Sequence, residues 1–560
     1  MTRTPRRTAA ILLTAAALTA TVLVAATLIP AAQPGRAAAA AAPTKRDRIK
    51  VLTAVLNRMR TEYKKINTSP GAEDIFDYQI GNLWRQGIDG TGTTIAVIEG
   101  WADPHIGSFI ASQDKVYGLP NPKITTIFPS GDHRLPATCP PGMVRLGSYG
   151  SCQGWVGELE LDVLAAHLIA PYARILISVT PADSQLTDDA ASQVAPPEMM
   201  QALEYISARH LANVISISTG TGEGTYRHGR EEIFAQVPGQ LAAAAAGIPV
   251  LEGTGDCDAA QHLAVGPGSC DPRTTTTGRA TAAWDDSPWV TAVGGSTPNL
   301  SDATGRRLGL DPLWNFAPFG FAAGEGAGYS AVFARPAFQN GVASATRSRM
   351  RSVPDITMDS SDGTSEAGPL LAGVLALATQ LNHGRSVGPL NDVLYRVLGP
   401  AGTRDGIADV VQGNDNLIEN GKVVVRGFAA ARGFDVASGW GTIRADRFVP
   451  ALVAATVAAR QDRAVRRQAA TALSRLEHRV ALSRGSIGAG QTSHLSASGF
   501  LPRHPVILFI DGRRIRVLHA SAGGSVRYLI NPAALGLPAG RHRLRLVSML
   551  LTASRAFRTG

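Results

Sequence analysis

The sequence predicts an α/β fold with a small β-rich unit at its C-terminal end. Three observations predict it. Residues 248 to 252 (Ile-Pro-Val-Leu-Glu) read as a buried strand that runs into a Gly-rich loop. Residues 157 to 167 and 370 to 380 carry apolar residues in helical patterns, as helices that dock on a core do. From residue 485 the period shortens: stretches at 494–500, 506–510, 514–518, 526–530 and 542–547 read as strands, with an Asp511-Gly512 turn between two of them. Such a run of short strands predicts an immunoglobulin-like β-sandwich over residues 485–560.

Each helix carries chemistry. Gly363-Thr364-Ser365 opens the second one and would expose the Ser365 hydroxyl at a helix N-terminus, where free N–H groups favour developing negative charge. Pro369 suits the first turn. On the other helix, Glu158 and Asp162 lie four apart and share a face. Paired carboxyls can share a proton, which raises one pKa and makes that group a base toward a serine. The Gly-rich loop after residue 252 delivers Asp256, whose protonated form could donate to an oxyanion.

The order Glu158, Asp162, Asp256, Ser365 resembles the sedolisin family of serine-carboxyl peptidases. The resemblance extends through residues 88–99, 214–220 and 287–295, then Gly328-Tyr329-Ser330 and Val353-Pro354-Asp355-Ile356, and covers roughly residues 75 to 455. It implies a subtilisin-like parallel sheet flanked by helices, and hydrolysis of peptides or proteins through an acyl-enzyme, best in acid. Ser365 would be nucleophile, Glu158 general base and acid, Asp162 its orienting partner, and Asp256 the oxyanion donor. Ser216, Ser218, Thr219, Gly220, Gly253 and Gly255 would hold substrate as an added strand. The family's calcium site is resembled by Asp409, Val410, Ala431, Gly433 and Asp435, two carboxylates plus carbonyls suited to a hard cation.

The sequence also departs from the family. Thr219 stands where a Trp is usual, Cys257-Asp258 where Ser-Gly is usual, and Asp362 and Glu366 bracket the serine turn. The stretch between Asp355 and Gly363 is short. These residues support a second reading, an inactive sedolisin-fold protein that binds peptides or cell-wall material. A histidine-dependent subtilase is excluded by the missing His-Gly-Thr-His helix. No His-Glu-x-x-His, phosphate loop or paired Cys-x-x-Cys occurs.

Arg3, Arg6 and Arg7 precede an uncharged run from residue 9 to 29 and then small residues to 42. That reads as a secretory signal over residues 1–42 and predicts a secreted protein, with an uncleaved N-terminal anchor as the alternative, since the run is long enough to span a membrane. The four cysteines allow three pairings. Cys139 with Cys152 and Cys257 with Cys270 are the local ones expected, each closing a short loop worth about 3 kcal/mol. A basic amphipathic helix is expected over residues 47 to 66, within a short N-terminal segment (43–74). An Ala/Arg-rich helical spacer is expected over 456–484.

Charge divides the chain. Residues 451–560 hold 17 arginines against three acids, a net of +14, and the first 36 residues add +4. With +10 overall, the stretch between carries −8. A tail so basic favours an anionic cell-wall polymer or membrane surface over nucleic acid, because its arginines are not interleaved with aromatics.

Overall fold

The computed structural model describes residues 42–560 apart from 64–70, 130–151, 180–196, 221, 226–229, 235–236, 263–269, 271–274, 302–303, 459–460, 477–478, 499, 501–504, 522–524 and 549–550. The expected signal and the Cys139–Cys152 bridge lie outside the described residues. No helix among the described residues is long and apolar enough to cross a membrane.

Seven short apolar strands make one sheet: β1 (Thr94–Glu99), β2 (Lys123–Ile127), β3 (Arg174–Val179), β4 (Val214–Ile217), β5 (Val250–Gly253), β6 (Thr291–Ser296) and, after an antiparallel pair β7 (Gly328–Ala334) and β8 (Met350–Val353), β9 (Ile356–Asp359). The order is β2-β3-β1-β4-β5-β6-β9, and every neighbour is parallel. Strands β1, β4 and β5 are buried almost throughout, as the continuous Ile/Val/Leu runs of a sheet covered on both faces require. Asp355, just before β9, is fixed by a buried bidentate pair with Arg351 (2.7 and 2.6 Å) and by the Tyr395 hydroxyl (2.7 Å).

The helices that matter for the site flank this sheet. They are α1 (Lys45–Glu62), α2 (Ala72–Asp77), α3 (Cys152–Ile169), α4 (Val237–Ala246), α5 (Thr364–Leu381), α6 (Ala445–Ala458) and α7 (Gln461–Leu476). Apart from Ser365 and the last two residues, α5 is buried, so it is a core helix. It crosses α3 closely at Gly373, where an added Cβ would come 2.5 Å from the Ile169 Cβ. Its last turn reaches back to the start of the domain: Gln380 accepts from the N–H groups of Asp89 and Gly90 (2.7 Å each) and donates to the Gly87 carbonyl (2.9 Å).

The N-terminal helix begins two residues earlier than expected and ends four earlier. Thr44 and Asp47 form a capping box at its start. Leu52, Val55, Leu56 and Met59 are buried in the same core as α5, whereas Val51, expected on the apolar side, is exposed. Arg48 pairs with buried Asp89 at 2.8 Å. The boundary expected at residue 75 therefore separates no second core.

The expected spacer is also docked. α7 packs on α4, Ala469 is fully buried, and Arg466 donates to the Ala245 carbonyl at 3.2 Å. Beyond it lie a three-stranded sheet (Arg479–Leu482, Ser493–Ser498, Ser525–Ile530) and a five-stranded one (Ser486–Ile487, Leu551–Thr559, Gly540–Ser548, Pro505–Ile510, Arg513–His519). Leu495, Val526, Val506, Leu508, Leu544 and Leu546 bury one face of each, the inward alternation of a β-sandwich. Asp511 (φ 50°) and Gly512 (φ 81°) make the two-residue hairpin turn that their dipeptide predicts.

Burial of α1 makes a direct prediction. Met59→Ala should lower unfolding free energy by about 2–5 kcal/mol in denaturant titrations, the range for a large buried side chain cut to alanine. A loss under about 1 kcal/mol would show that the helix does not belong to the core.

Candidate active site

The carboxyl ends of the central strands converge on the N-terminus of α5, where sites in parallel sheets form. Ser365 is the second residue of α5 and half-buried. Its side chain lies beside Glu158 on α3 and lowers that carboxyl's pKa. One turn further along α3, Asp162 is fully buried and accepts the Ser218 hydroxyl at 2.8 and 3.1 Å. The Ser218 hydroxyl also lies 3.2 Å from the Ser365 carbonyl. Serine and carboxyl pair, far apart in the sequence, thus meet in one place.

Asp256 lies on the other side of the serine turn. Its Oδ1 accepts both the N–H and the hydroxyl of Thr364 (2.8 Å each), and the N–H of Gly255 donates to that same hydroxyl at 2.9 Å. The turn needs glycine at 363: φ is +99°, and a Cβ would sit 2.8 Å from Asp256 Oδ2. Next to Asp256, Cys257 is disulfide-bonded to Cys270, as expected for this pair.

Two acidic residues that the sequence reading did not single out complete the buried patch. Glu99, the last residue of β1, is fully buried beside Asp162. Glu252 in β5 is equally buried and accepts the Thr219 N–H at 3.2 Å. Both had a signal: each is a charge inside an otherwise apolar strand of a parallel sheet, which calls for a reason. Burial pushes Glu158 well above the ordinary carboxyl range, and Asp162 adds to it, while the Ser365 bond opposes. Burial raises Glu99 as well, with Asp162 and Glu158 as added charges. Asp162 is raised by burial to about 7 against its bonds to Glu99 and Ser218. Burial likewise raises Glu252, opposed by the Thr219 N–H.

The substrate-strand expectation needs correction at Ser216. This residue lies inside β4 with Val97 and Leu251 as partners on either side, and its side chain is fully buried. No edge remains there for a substrate to pair. Ser218 is turned to Asp162, so its side chain serves the carboxyl patch. Gly253 pairs with Val293, and a Cβ on it would meet the Thr364 carbonyl at 2.8 Å. Thr219, Gly220 and Gly255 lie past the strand ends and are half-buried.

The residues expected to hold calcium are joined by their own loops. Gly433 N–H donates to Asp409 Oδ2 (2.9 Å), and Ala431 N–H donates to Asp435 Oδ2 (2.8 Å). Ser438 binds both oxygens of Asp435 (2.9 and 3.0 Å), and its hydroxyl lies 3.5 Å from the Val410 carbonyl. Asp409 Oδ1 is buried with no hydrogen-bond partner. An orphaned carboxylate oxygen beside two carbonyl-rich loops fits a hard cation.

Because the site carboxyls are raised, the native chain binds more protons than the unfolded one between their ordinary values and about 7. Stability should therefore be greatest in acid and decline as pH rises through that window. Asp162→Asn should flatten the decline in melting temperature between pH 4 and 7, measured by calorimetry. A parent profile that rises with pH would contradict the protonated patch.

No model of a protein family matches the chain. Kumamolisin from Bacillus sp. (strain MN-32) is 26% identical over 417 residues, which is 70% of this chain and 66% of kumamolisin. The chain thus spans just under two thirds of that relative. The solved structure of Pseudomonas sedolisin, a serine-carboxyl proteinase complexed with two molecules of pseudo-iodotyrostatin, superposes with a TM-score of 0.51 at 22% identity. It covers 65% of this chain and 92% of its own, and it shows the fold. In its parallel sheet, its order of motifs and its kumamolisin-like sequence, this chain is similar to the sedolisin family.

Proposed function

We propose that the protein is a serine-type endopeptidase that cleaves peptide bonds through an acyl-enzyme. The observation that carries the reading is the meeting of Ser365 with half-buried Glu158, one helical turn from a fully buried aspartate. Ser365 Oγ attacks the scissile carbonyl carbon while Glu158 takes the hydroxyl proton. The carbonyl oxygen becomes an oxyanion, and Asp256, on the far side of the turn, is the side chain proposed to face it. As the tetrahedral species collapses, Glu158 returns its proton to the leaving amine. Water then repeats the sequence on the ester and frees Ser365. Asp162, held by Ser218 and Glu99, keeps the Glu158 carboxyl in place and shares its proton. Thr219, Gly220 and Gly255 would line the substrate chain.

Acid activity follows from the same groups. The patch needs shared protons, and Asp162 keeps its own only up to about 7. Glu366, which the binding-protein reading would invoke, does not crowd the serine. It is buried with Asp359 and Asp74 as its main neighbours, and accepts the Asp362 N–H at 3.1 Å.

The same proposal includes one calcium ion held by Asp409, Asp435 and the carbonyls of Val410, Ala431 and Gly433, tying two loops together. It also includes export of the chain, which rests on the arginine-led apolar N-terminus. The sheet body, residues 75–455 together with α1, would be the peptidase domain. The basic tail would meet an anionic surface outside the cell.

Peptide hydrolysis between pH 3 and 8 tests the reading, beside Ser365→Ala and Glu158→Ala. Acid-optimal cleavage that falls by a factor of about a thousand or more in each variant is expected. A folded parent that cleaves nothing at any pH would favour the binding-protein reading. For calcium, chelation should lower the melting temperature by several degrees, and Asp409→Asn should remove that response.

A further inference from the structure

A second group of buried acids lies beneath the serine turn. Asp74 on α2, Asp359 at the end of β9 and Glu366 on α5 are 0%, 1% and 4% exposed. One oxygen of each lies within 4.8 Å of the other two. Neither oxygen of Asp74 has a hydrogen-bond donor, and its neighbour is another carboxyl, Asp359. Asp359 Oδ1 accepts from the Ser361 N–H and hydroxyl (3.0 and 2.8 Å), and Glu366 Oε2 accepts from the Asp362 N–H. Each of these two carboxylates keeps a second oxygen for the cluster.

Among the described residues, the charges that act on the three are one another and further acids, Glu73, Asp77 and Asp362. The adjacent Arg307 is engaged by Asp77 and Asp311. Three carboxylates buried together without a countercharge are strongly unfavourable. Either protons or a metal ion must neutralise them, and the unsatisfied Asp74 carboxylate favours the ion. Oxygens within 4.8 Å of one another need little movement to meet one cation at the 2.3–2.6 Å typical of calcium. All-oxygen donors select a hard cation over zinc or copper.

We propose that Asp74, Asp359 and Glu366 form a binding site for a hard divalent cation, separate from the Asp409–Asp435 loops. The ion would clip α2 and the end of β9 to the first turn of α5. Glu366 directly follows Ser365, so the clip fixes the turn that presents the hydroxyl. The Tyr78 hydroxyl, which accepts the Asp359 N–H at 2.5 Å, sits in the same cluster. It provides an aromatic donor for luminescence from a lanthanide at the site.

The test needs no peptidase activity and so fails independently of the proposed reaction. Chelator-treated full chain is titrated with terbium, following tyrosine-sensitised luminescence, in the parent, Asp74→Asn and Asp409→Asn. The parent should take up two ions that calcium displaces. Asp74→Asn should lose the sensitised one, with affinity weakened at least about tenfold, while Asp409→Asn keeps it. Without metal, Asp74→Asn should melt at or above the parent, because one buried charge is removed; that separates lost binding from lost folding. Sensitised binding unchanged in Asp74→Asn would overturn the proposal. So would a parent that binds no ion there and is stabilised only by acid, since the carboxyls would then hold protons instead.

Discussion

Carboxyl groups packed against one another away from water impose the constraint around which this body is built. A single buried, unpaired carboxylate is costly enough that the group neutralises or finds a partner. Here Glu158, Asp162, Glu99 and Glu252 occupy one patch, and what surrounds them reads as a set of answers. Asp162 receives a serine hydroxyl, Glu252 receives a backbone N–H, and Glu158 faces Ser365. The helix that carries Ser365 presents its positive end to the patch. The packing of α5 against α3 is therefore more than apolar contact. It holds donor and acceptors at a distance where protons can be shared, and Gly373 allows the two helices to approach that closely.

The parts of the site that were legible in the sequence share a property: each is local. Glu158 and Asp162 are four apart on one helix, and Ser365 follows a turn that needs Gly363. Asp256 follows a strand by a short Gly-rich loop. Local spacing sets these relations, so they survive without knowledge of the fold. Glu99 and Glu252 were overlooked because their meaning depends on β1 and β5 being interior strands of one sheet. The same lack produced the error at Ser216, where the sequence does not say that both edges of β4 are already paired. Resemblance supplied the order of the motifs, and the sheet supplied the depth at which each residue lies.

Longer-range relations were hidden for the same reason. The apolar stripe of α1 was visible, but not that its partner would be the main core. The Ala/Arg-rich stretch near residue 465 looked like a spacer because its arginines suit solvent; Arg466 is held instead by a carbonyl on α4. Asp74, Asp359 and Glu366 come from three elements, nearly 300 residues apart at the extremes. Single carboxylates so widely spaced carry no pattern until the chain closes.

The bond between Gln380 and the turn at Asp89 bears on when the molecule becomes itself. That turn leads into the first strand, yet the N–H groups of Asp89 and Gly90 are satisfied by the last turn of α5, made some 290 residues later. A nascent chain emerges N-terminus first, and long-range closures of this kind form late. The acids on α3 therefore precede their serine by about 200 residues. Until α5 packs against the sheet and α3, neither half of the chemistry exists. Chain order thus acts as a delay, keeping an incomplete molecule inert while most of it is still being made.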